Sequence, residues 1–172
     1  EFTQIDIEMS FIDEEDIYTM SEGLIKNIWK KTIDVDLKIP FPRLSYQEAM
    51  DKYGTEKPDM RFGLELIDVS EIVAKSDFDV FKKADLVKCI CAPKNLSRKE
   101  LDKYIDFCQK IGAKGMAWMK VTDKGAEKSK ISGTTGCGLE SNIVKFFKED
   151  VQKELIEKTE AKPGSVLMFI AD

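Results

Sequence analysis

The side chains best suited to chemistry lie near the start of the chain, where polar and apolar residues alternate from Gln4 to Ser10. This period of two predicts a β-strand with one polar and one apolar face. The polar face carries an amide and two acids in a row, Gln4, Asp6 and Glu8, followed by Ser10. The pattern leaves two interpretations open, a solvated face of a sheet or one wall of a polar cleft.

A second candidate is a group of three lysines around a tryptophan, Lys110, Lys114 and Lys120 with Trp118. Lysines interleaved with an aromatic residue suit an RNA strand, because the ring can stack on a base while the cations contact phosphate. The same residues also fit a helix end and a strand with ordinary surface lysines. The sequence alone favours that simpler interpretation.

Two other clusters have structural explanations. The glycine-bearing run Gly133–Gly138 precedes a helical pattern, but it matches no phosphate-binding fingerprint and is interpreted as a flexible surface loop. The four consecutive acids at 13–16 look like a metal cluster, although the N-terminus of a helix accounts for them.

Histidine and cysteine usage limits the chemistry further. The chain has no histidine, so it lacks the commonest general base, and it has no C-x2-C pair for zinc. In the absence of a secretory signal, the four cysteines are predicted to be free thiols of a cytoplasmic protein. Cys89 and Cys91 share one face of an apolar strand and are interpreted as small buried hydrophobic residues, not as a redox pair.

Length and composition indicate a folded protein with a small net negative charge. The 172 residues, 42% hydrophobic and 34% charged, suit one domain or one domain plus part of another. The net charge of −5 gives no global attraction to nucleic acid, so an RNA contact needs a local basic patch. No apolar run approaches the roughly 20 residues that span a bilayer. The chain opens in mid-strand, so we expect it to be part of a longer protein.

Helices and strands alternate along the predicted chain. Asp13 and Ser97 are helix N-caps, and Glu100 completes a capping box with Ser97. The predicted elements are a helix opened by Asp13 with an apolar core stripe, strands over 2–10 and 34–39, a helix over 45–53, a strand over 86–92, a helix over 97–111, a strand over 116–121, helices over 139–147 and 150–159, and a strand over 166–171. The fold class is therefore α+β, a small sheet covered by helices, with parallel, mixed or antiparallel pairing left open.

Two stretches in the first part of the chain resemble bacterial-type aspartyl-tRNA synthetase, a class II enzyme. Residues Glu1–Phe11, EFTQIDIEMSF, resemble the second strand of motif 2 in that family. The run FPRLSY at 41–46, followed by EAM, YG, KPD and Arg61, resembles the segment that leaves the catalytic core toward an insertion. The resemblance implies that residues 1–61 are a slice of a class II antiparallel catalytic domain.

The remainder, residues 62–172, resembles the GAD insertion domain of these enzymes. Amidotransferase subunits that handle glutaminyl and aspartyl tRNAs also carry this domain. The likeness lies in three runs, LSRKELD at 96–102, GAKGMAW at 112–118 and KPG at 162–164.

The resemblance implies roles for four residues of the first strand. Phe2 resembles the aromatic residue that stacks on the adenine of ATP, since a flat ring suits a purine face. Asp6 resembles the acid that holds the amino group of aspartate, and Gln4 a polar group on the floor of the same pocket. Glu8 resembles a supporting acid. Class II chemistry needs positioning and charge neutralisation more than a protein base, so the absence of histidine is no obstacle.

The implied parent is a cytoplasmic, homodimeric aspartate–tRNA ligase that uses ATP, Mg²⁺, L-aspartate and tRNA(Asp) and has no membrane segment. Several parts of the family pattern are absent from the chain: the motif 2 arginine, motifs 1 and 3, the metal-binding acids near motif 3 and the anticodon-binding domain. Without the arginines of motifs 2 and 3, a site cannot stabilise the negative charge of the phosphoryl transition state. We therefore expect the chain alone to bind no cofactor and to be inactive.

The role of the GAD domain is left open by the resemblance. It could be a non-catalytic module close to tRNA, with Lys110, Lys114, Trp118 and Lys120 facing the RNA. It could also be a purely architectural insertion, or the chain could come from an amidotransferase subunit. Residues 1–11 argue against the last of these, because that strand belongs to the synthetase pattern. The sequence does not decide whether the parent also charges tRNA(Asn).

Overall fold

A computed structural model describes residues 1–123 and 137–172, which divide into two units, Glu1–Ser45 and Tyr46–Asp172. The predicted glycine-bearing loop therefore lies mostly outside the described residues. Within the described residues, no helix is long and apolar enough to cross a lipid bilayer. Residues 46–61 belong to the second unit in space, whereas their assignment to a catalytic-domain slice concerns ancestry and stays a prediction.

The first unit is built on one long helix, α1 (Glu14–Ile33). Asp13 is its N-cap, as predicted: the carboxylate accepts hydrogen bonds from the backbone N–H groups of Glu15 and Asp16, and the Asp16 side chain accepts from the N–H of Asp13. Acids in the first turn and lysines in the last turn both complement the helix dipole. The helix ends at Ile33, and the C-cap Asp34 has a left-handed backbone with φ of 56°.

The described residues of the first unit include none that is buried. The apolar stripe of α1, predicted to be core, is half-buried at most, and Trp29 has 41% of its surface exposed. The predicted strands over 2–10 and 34–39 are wrong, because neither segment forms a β-ladder. A β-ladder needs a neighbouring strand, and the described part of this unit contains none.

The second unit contains an antiparallel sheet, which among the described residues has five strands in the order β1-β2-β5-β3-β4. All four strand pairs are antiparallel, which resolves the pairing that the sequence left open. The central strand β5 has the strongly apolar sequence VLMFIA and pairs with both β2 and β3. The strands are β1 (Ile67–Asp68), β2 (Val87–Ala92), β3 (Ala117–Thr122), β4 (Gly138–Glu140) and β5 (Val166–Ala171).

Three predicted helices of the second unit, over 45–53, 97–111 and 150–159, are present in the structure. The capping box of Ser97 and Glu100 is present, but the predicted helix over 139–147 is wrong. Leu139 instead lies opposite Val121 in a β-ladder and packs against the core from there. The described helices are α2 (Tyr46–Tyr53), α3 (Ser70–Val73), α4 (Asp79–Lys82), α5 (Arg98–Lys110) and α6 (Glu149–Thr159), with 3-10 turns at Met60–Phe62 and Val144–Phe146.

Side chains of β5 alternate between two apolar clusters on opposite faces of the sheet. Leu167 and Phe169 belong to the larger cluster, which also includes residues of α3 and α6. Val166 belongs to a smaller cluster with Leu101 of α5. Every described buried residue lies in the second unit, so the folded core of the described chain lies there.

Candidate substrate segment and a cationic cleft

The four residues implied in substrate binding lie in the extended first segment and are all exposed: Phe2, Gln4, Asp6 and Glu8. Phe2 has 83% of its surface exposed, so its ring is available for stacking. No ion pair of the described residues involves either acid of this group. The side chains suit a purine ring and an ammonium group, and all four lie in a segment that forms no β-ladder.

Arg43, in the FPR run, is fastened to α1. Its guanidinium forms an ion pair with Glu15, and its Cζ lies 4.5 Å from the ring centroid of Tyr18. The hydrogen bond to Glu15 raises the pKa of the Arg43 guanidinium above its ordinary value. Nearby, the N–H of Phe41 donates to the Glu22 carboxylate at 3.0 Å. These contacts hold the FPR run against the helix and were not predicted from the sequence.

The second unit contains a cleft of about 650 Å³ at the end of the sheet where β3 begins and β5 ends. Three cations line this cleft, Lys83, Arg98 and Lys114, and Asp172 is the one acid among the described residues that line it. Trp118 and several apolar residues complete the lining, among them Met116, Ala117, Ile143 and Phe169. The cleft therefore combines apolar side chains with three cations, each of which forms an ion pair, Lys83 with Asp79, Arg98 with Asp102 and Lys114 with Asp172.

Two elements position the tryptophan and the arginine of the cleft. Trp118 lies in β3 and packs against the cluster that contains Leu101 of α5. Arg98 is the first residue of α5, directly after the N-cap Ser97, so the helix start places it beside β3. Its Cζ lies 5.4 Å from the centroid of the Trp118 ring, and its Nε donates to Asp102 at 2.9 Å.

The predicted patch of three lysines is brought together only in part. Lys114 lines the cleft with Trp118, and its Nζ lies 3.1 Å from a carboxylate oxygen of Asp172. Lys120 donates to the side-chain oxygen of Asn95 at 3.3 Å and does not line the cleft. Lys110, in the last turn of α5, is exposed and does not line it either.

Two cations of the cleft, Arg98 and Lys83, were not identified as candidate site residues from the sequence. Arg98 carried a usable signal, because a residue next to a helix N-cap lies at a defined end of the helix. Lys83 carried none, since it follows a helix of four residues whose place depends on tertiary packing.

The described cysteines are free thiols and do not form a reactive pair. Burial raises the pKa of Cys89 far above its ordinary range and also raises the pKa of Cys91. A thiol with a raised pKa holds little thiolate and is a poor nucleophile. The interpretation of the pair as packing residues is confirmed by their contacts with the large core cluster. Within the described residues, no group of three or more acids or cysteines could hold a metal ion.

The chain also matches known proteins over its whole length. Residues 1–171 match the family model for class II tRNA synthetases (D, K and N). The chain belongs to this class II tRNA synthetase family. The resemblance to aspartyl-tRNA synthetase is confirmed by its relatives, which include proteins named aspartate–tRNA(Asp/Asn) ligase in Aquifex aeolicus and Persephonella marina and aspartate–tRNA ligase in Lactiplantibacillus plantarum.

The identity to these three relatives is 48% over 177 residues, 47% over 178 and 46% over 180, respectively. Each comparison covers 100% of this chain but only 27%, 27% and 28% of the relative. The chain therefore spans little more than a quarter of the length of the curated relatives that it matches.

Proposed function

We propose that the chain is part of an aspartate–tRNA ligase, which attaches L-aspartate to tRNA(Asp) and uses ATP and Mg²⁺. The observation that carries this proposal is the 48% identity to an aspartate–tRNA(Asp/Asn) ligase over all of the chain, including the polar segment at its start. The name of that relative includes tRNA(Asn), so charging of tRNA(Asn) is a second activity to test. The full-length protein is proposed to be a cytoplasmic homodimer.

In this proposal the first segment forms one wall of the pocket for aspartate and ATP. The Asp6 carboxylate binds the ammonium group of aspartate, and Gln4 donates a hydrogen bond at the floor of the pocket. Phe2 stacks on the adenine, and Glu8 supports the two polar side chains. Mg²⁺ neutralises phosphate charge when it is bound. The substrate carboxylate then attacks the α-phosphorus in line, a new oxygen–phosphorus bond forms, and pyrophosphate leaves.

The test measures aspartate-dependent exchange of pyrophosphate into ATP by the full-length protein. Asp6→Asn is expected to raise the KM for aspartate at least about tenfold, because a hydrogen bond to a charged group is lost. Phe2→Leu is expected to raise the KM for ATP about fivefold through lost stacking. Glu1→Gln, an exposed acid of the same segment, is the matched control and leaves both constants unchanged.

Two results would contradict this proposal. Absence of aspartate-dependent exchange by the full-length protein would refute the activity. Exchange that Asp6→Asn and Glu1→Gln affect equally would refute the assigned site.

We also propose that residues 1–61 derive from the catalytic domain and residues 62–172 from a non-catalytic GAD insertion close to tRNA. The cleft supports this role, because it places the cationic side chains of Arg98 and Lys114 beside the Trp118 ring, in ion pairs that are exposed to solvent. The rival is an architectural insertion without RNA contact. Charge reversal at Lys110, Lys114 and Lys120 in the full-length protein separates the two: a raised KM for tRNA and a reduced salt dependence support RNA contact.

A further inference from the structure

We infer that the cleft in the second unit binds one unpaired nucleotide of an RNA strand. The base lies against Trp118 and Arg98, and the adjoining phosphate lies between Arg98 and Lys114. This inference rests on the proposed function only for the source of the strand, which is a tRNA. The binding chemistry itself follows from the residues of the cleft.

The size and lining of the cleft suit a nucleobase. Its volume of about 650 Å³ lies within the range of roughly 300–1,000 Å³ that is usual for small-ligand sites. Met116 packs with Trp118 against the smaller apolar cluster and gives a base an apolar surface on the same face of the sheet. A base inside a duplex has both faces covered by its neighbours, so only an unpaired one can enter.

The charge of the cleft suits a phosphate. Each of the three cations of the lining forms an exposed ion pair: Lys83 with Asp79 at 3.7 Å, Arg98 with Asp102 at 2.9 Å and Lys114 with Asp172 at 3.1 Å. The side chains of Lys114 and Asp172 are 82% and 88% exposed, and an ion pair so exposed contributes little. Lys114 can therefore turn to a phosphate at small cost.

The Trp118 ring is half-buried and lines the cleft. It packs against the smaller apolar cluster, formed by Leu96, Leu101 and Val166, and the guanidinium of Arg98 lies 5.4 Å from its centroid. Bases stack on aromatic rings and on guanidinium planes alike, and such stacking tolerates any base. An acidic peptide would satisfy the cations but would bring no flat ring to this pair, so an RNA nucleotide fits better.

The test uses the tryptophan fluorescence of the 172-residue chain. The chain has two tryptophans, so Trp29→Phe leaves Trp118 as the single reporter. Tetraadenylate is the probe. Adenosine monophosphate tests whether a free nucleotide binds, and polyglutamate tests whether an anionic polymer without bases is sufficient. We expect tetraadenylate to quench Trp118, polyglutamate of equal charge to cause no quenching, and the monophosphate to bind more weakly than the strand.

Substitutions in this background locate the site. Arg98→Gln with Lys114→Gln is expected to weaken tetraadenylate binding at least fivefold and to make it less dependent on salt. The matched control is Lys99→Gln with Lys103→Gln, which removes the same charge from two exposed lysines outside the cleft and leaves the affinity within twofold. Trp118→Phe, followed with labelled tetraadenylate, retains most of the affinity, whereas Trp118→Leu loses at least about fivefold. Thermal unfolding of each variant confirms that it is folded.

Three results would overturn the inference: no quenching by tetraadenylate, equal weakening by the two double substitutions, or quenching by polyglutamate that matches the RNA. The last result would indicate an acidic protein partner. None of these results depends on aspartate activation. RNA binding by the cleft and the proposed ligase activity can therefore be refuted separately, because pyrophosphate exchange measures the ligase activity alone.

Discussion

The hydroxyl of Ser70 donates a hydrogen bond to the Asp68 carboxylate at 2.7 Å and accepts one from the N–H of Val87 at 2.9 Å. The N–H of Ser70 donates to the same carboxylate oxygen at 2.9 Å. One serine side chain thus joins the end of β1, the start of α3 and the start of β2. Because these bonds favour the ionised carboxylate, they lower the pKa of Asp68.

The lowered pKa of Asp68 predicts a loss of stability in acid. A carboxylate with a folded pKa below its unfolded value of about 3.9 stabilises the protein above that pH, and the contribution is lost as the pH falls through the folded pKa. Asp68→Asn should therefore flatten the fall in the free energy of unfolding below pH 4. Urea unfolding between pH 7 and pH 2.5 measures this, with Glu71→Gln on α3 as the control. The prediction would be contradicted if the free energy of unfolding of Asp68→Asn fell below pH 4 as steeply as that of the unsubstituted protein.

Core substitutions should affect the second unit far more than the first. Leu155 of α6 is 0% exposed within the large cluster, so Leu155→Ala is expected to lower the free energy of unfolding by about 2–5 kcal/mol. Ile7 is 45% exposed, and Ile7→Ala is expected to change it by less than about 0.5 kcal/mol. Denaturant unfolding followed by far-UV circular dichroism measures both. Similar losses for the two variants would show that residues 1–45 pack more tightly than the structure indicates.

The N-cap of α5 should contribute measurably to stability. The Ser97 hydroxyl accepts from the N–H of Glu100, and the Glu100 carboxylate accepts from the N–H of Ser97 at 2.8 Å. Ser97→Ala removes the cap and is expected to cost about 1 kcal/mol of unfolding free energy. Ser97→Asp, which restores an acceptor, should recover most of that loss. Lys99→Ala in the first turn is the control, and a loss of equal size there would argue against the cap.

Local signals in the sequence predict the starts of two helices and the central strand of the sheet. The caps Asp13 and Ser97 mark helix starts because their side chains satisfy backbone groups a few residues away. The apolar run of β5 marks a central strand because both of its faces are covered. The stretch at 139–147 is predicted wrongly, since short apolar segments fit a helix or a strand equally well and Leu139 is placed by its partner across the sheet.

The candidate sites depend on information that a linear pattern does not contain. The alternation from Gln4 to Ser10 is a strand pattern, yet a strand forms only where a partner supplies the ladder, and the described residues of the first unit supply none. The likeness to a synthetase, not periodicity, assigns roles to Phe2 and Asp6. The cleft joins Lys83, Arg98 and Trp118 from distant parts of the chain, so it becomes visible only in the fold.

The exposed first segment predicts that the 172-residue chain does not activate aspartate by itself. Catalysis by positioning needs reacting groups held in fixed geometry, and a fixed strand needs neighbours in a sheet. Phe2 is 83% exposed, and Asp6 lies in a segment without a ladder, so neither can hold ATP or aspartate in register. We expect aspartate-dependent pyrophosphate exchange at background level from the chain alone, and robust exchange from the full-length protein under the same conditions. Turnover by the chain that Asp6→Asn abolishes would show that residues 1–12 form a working pocket without further partners.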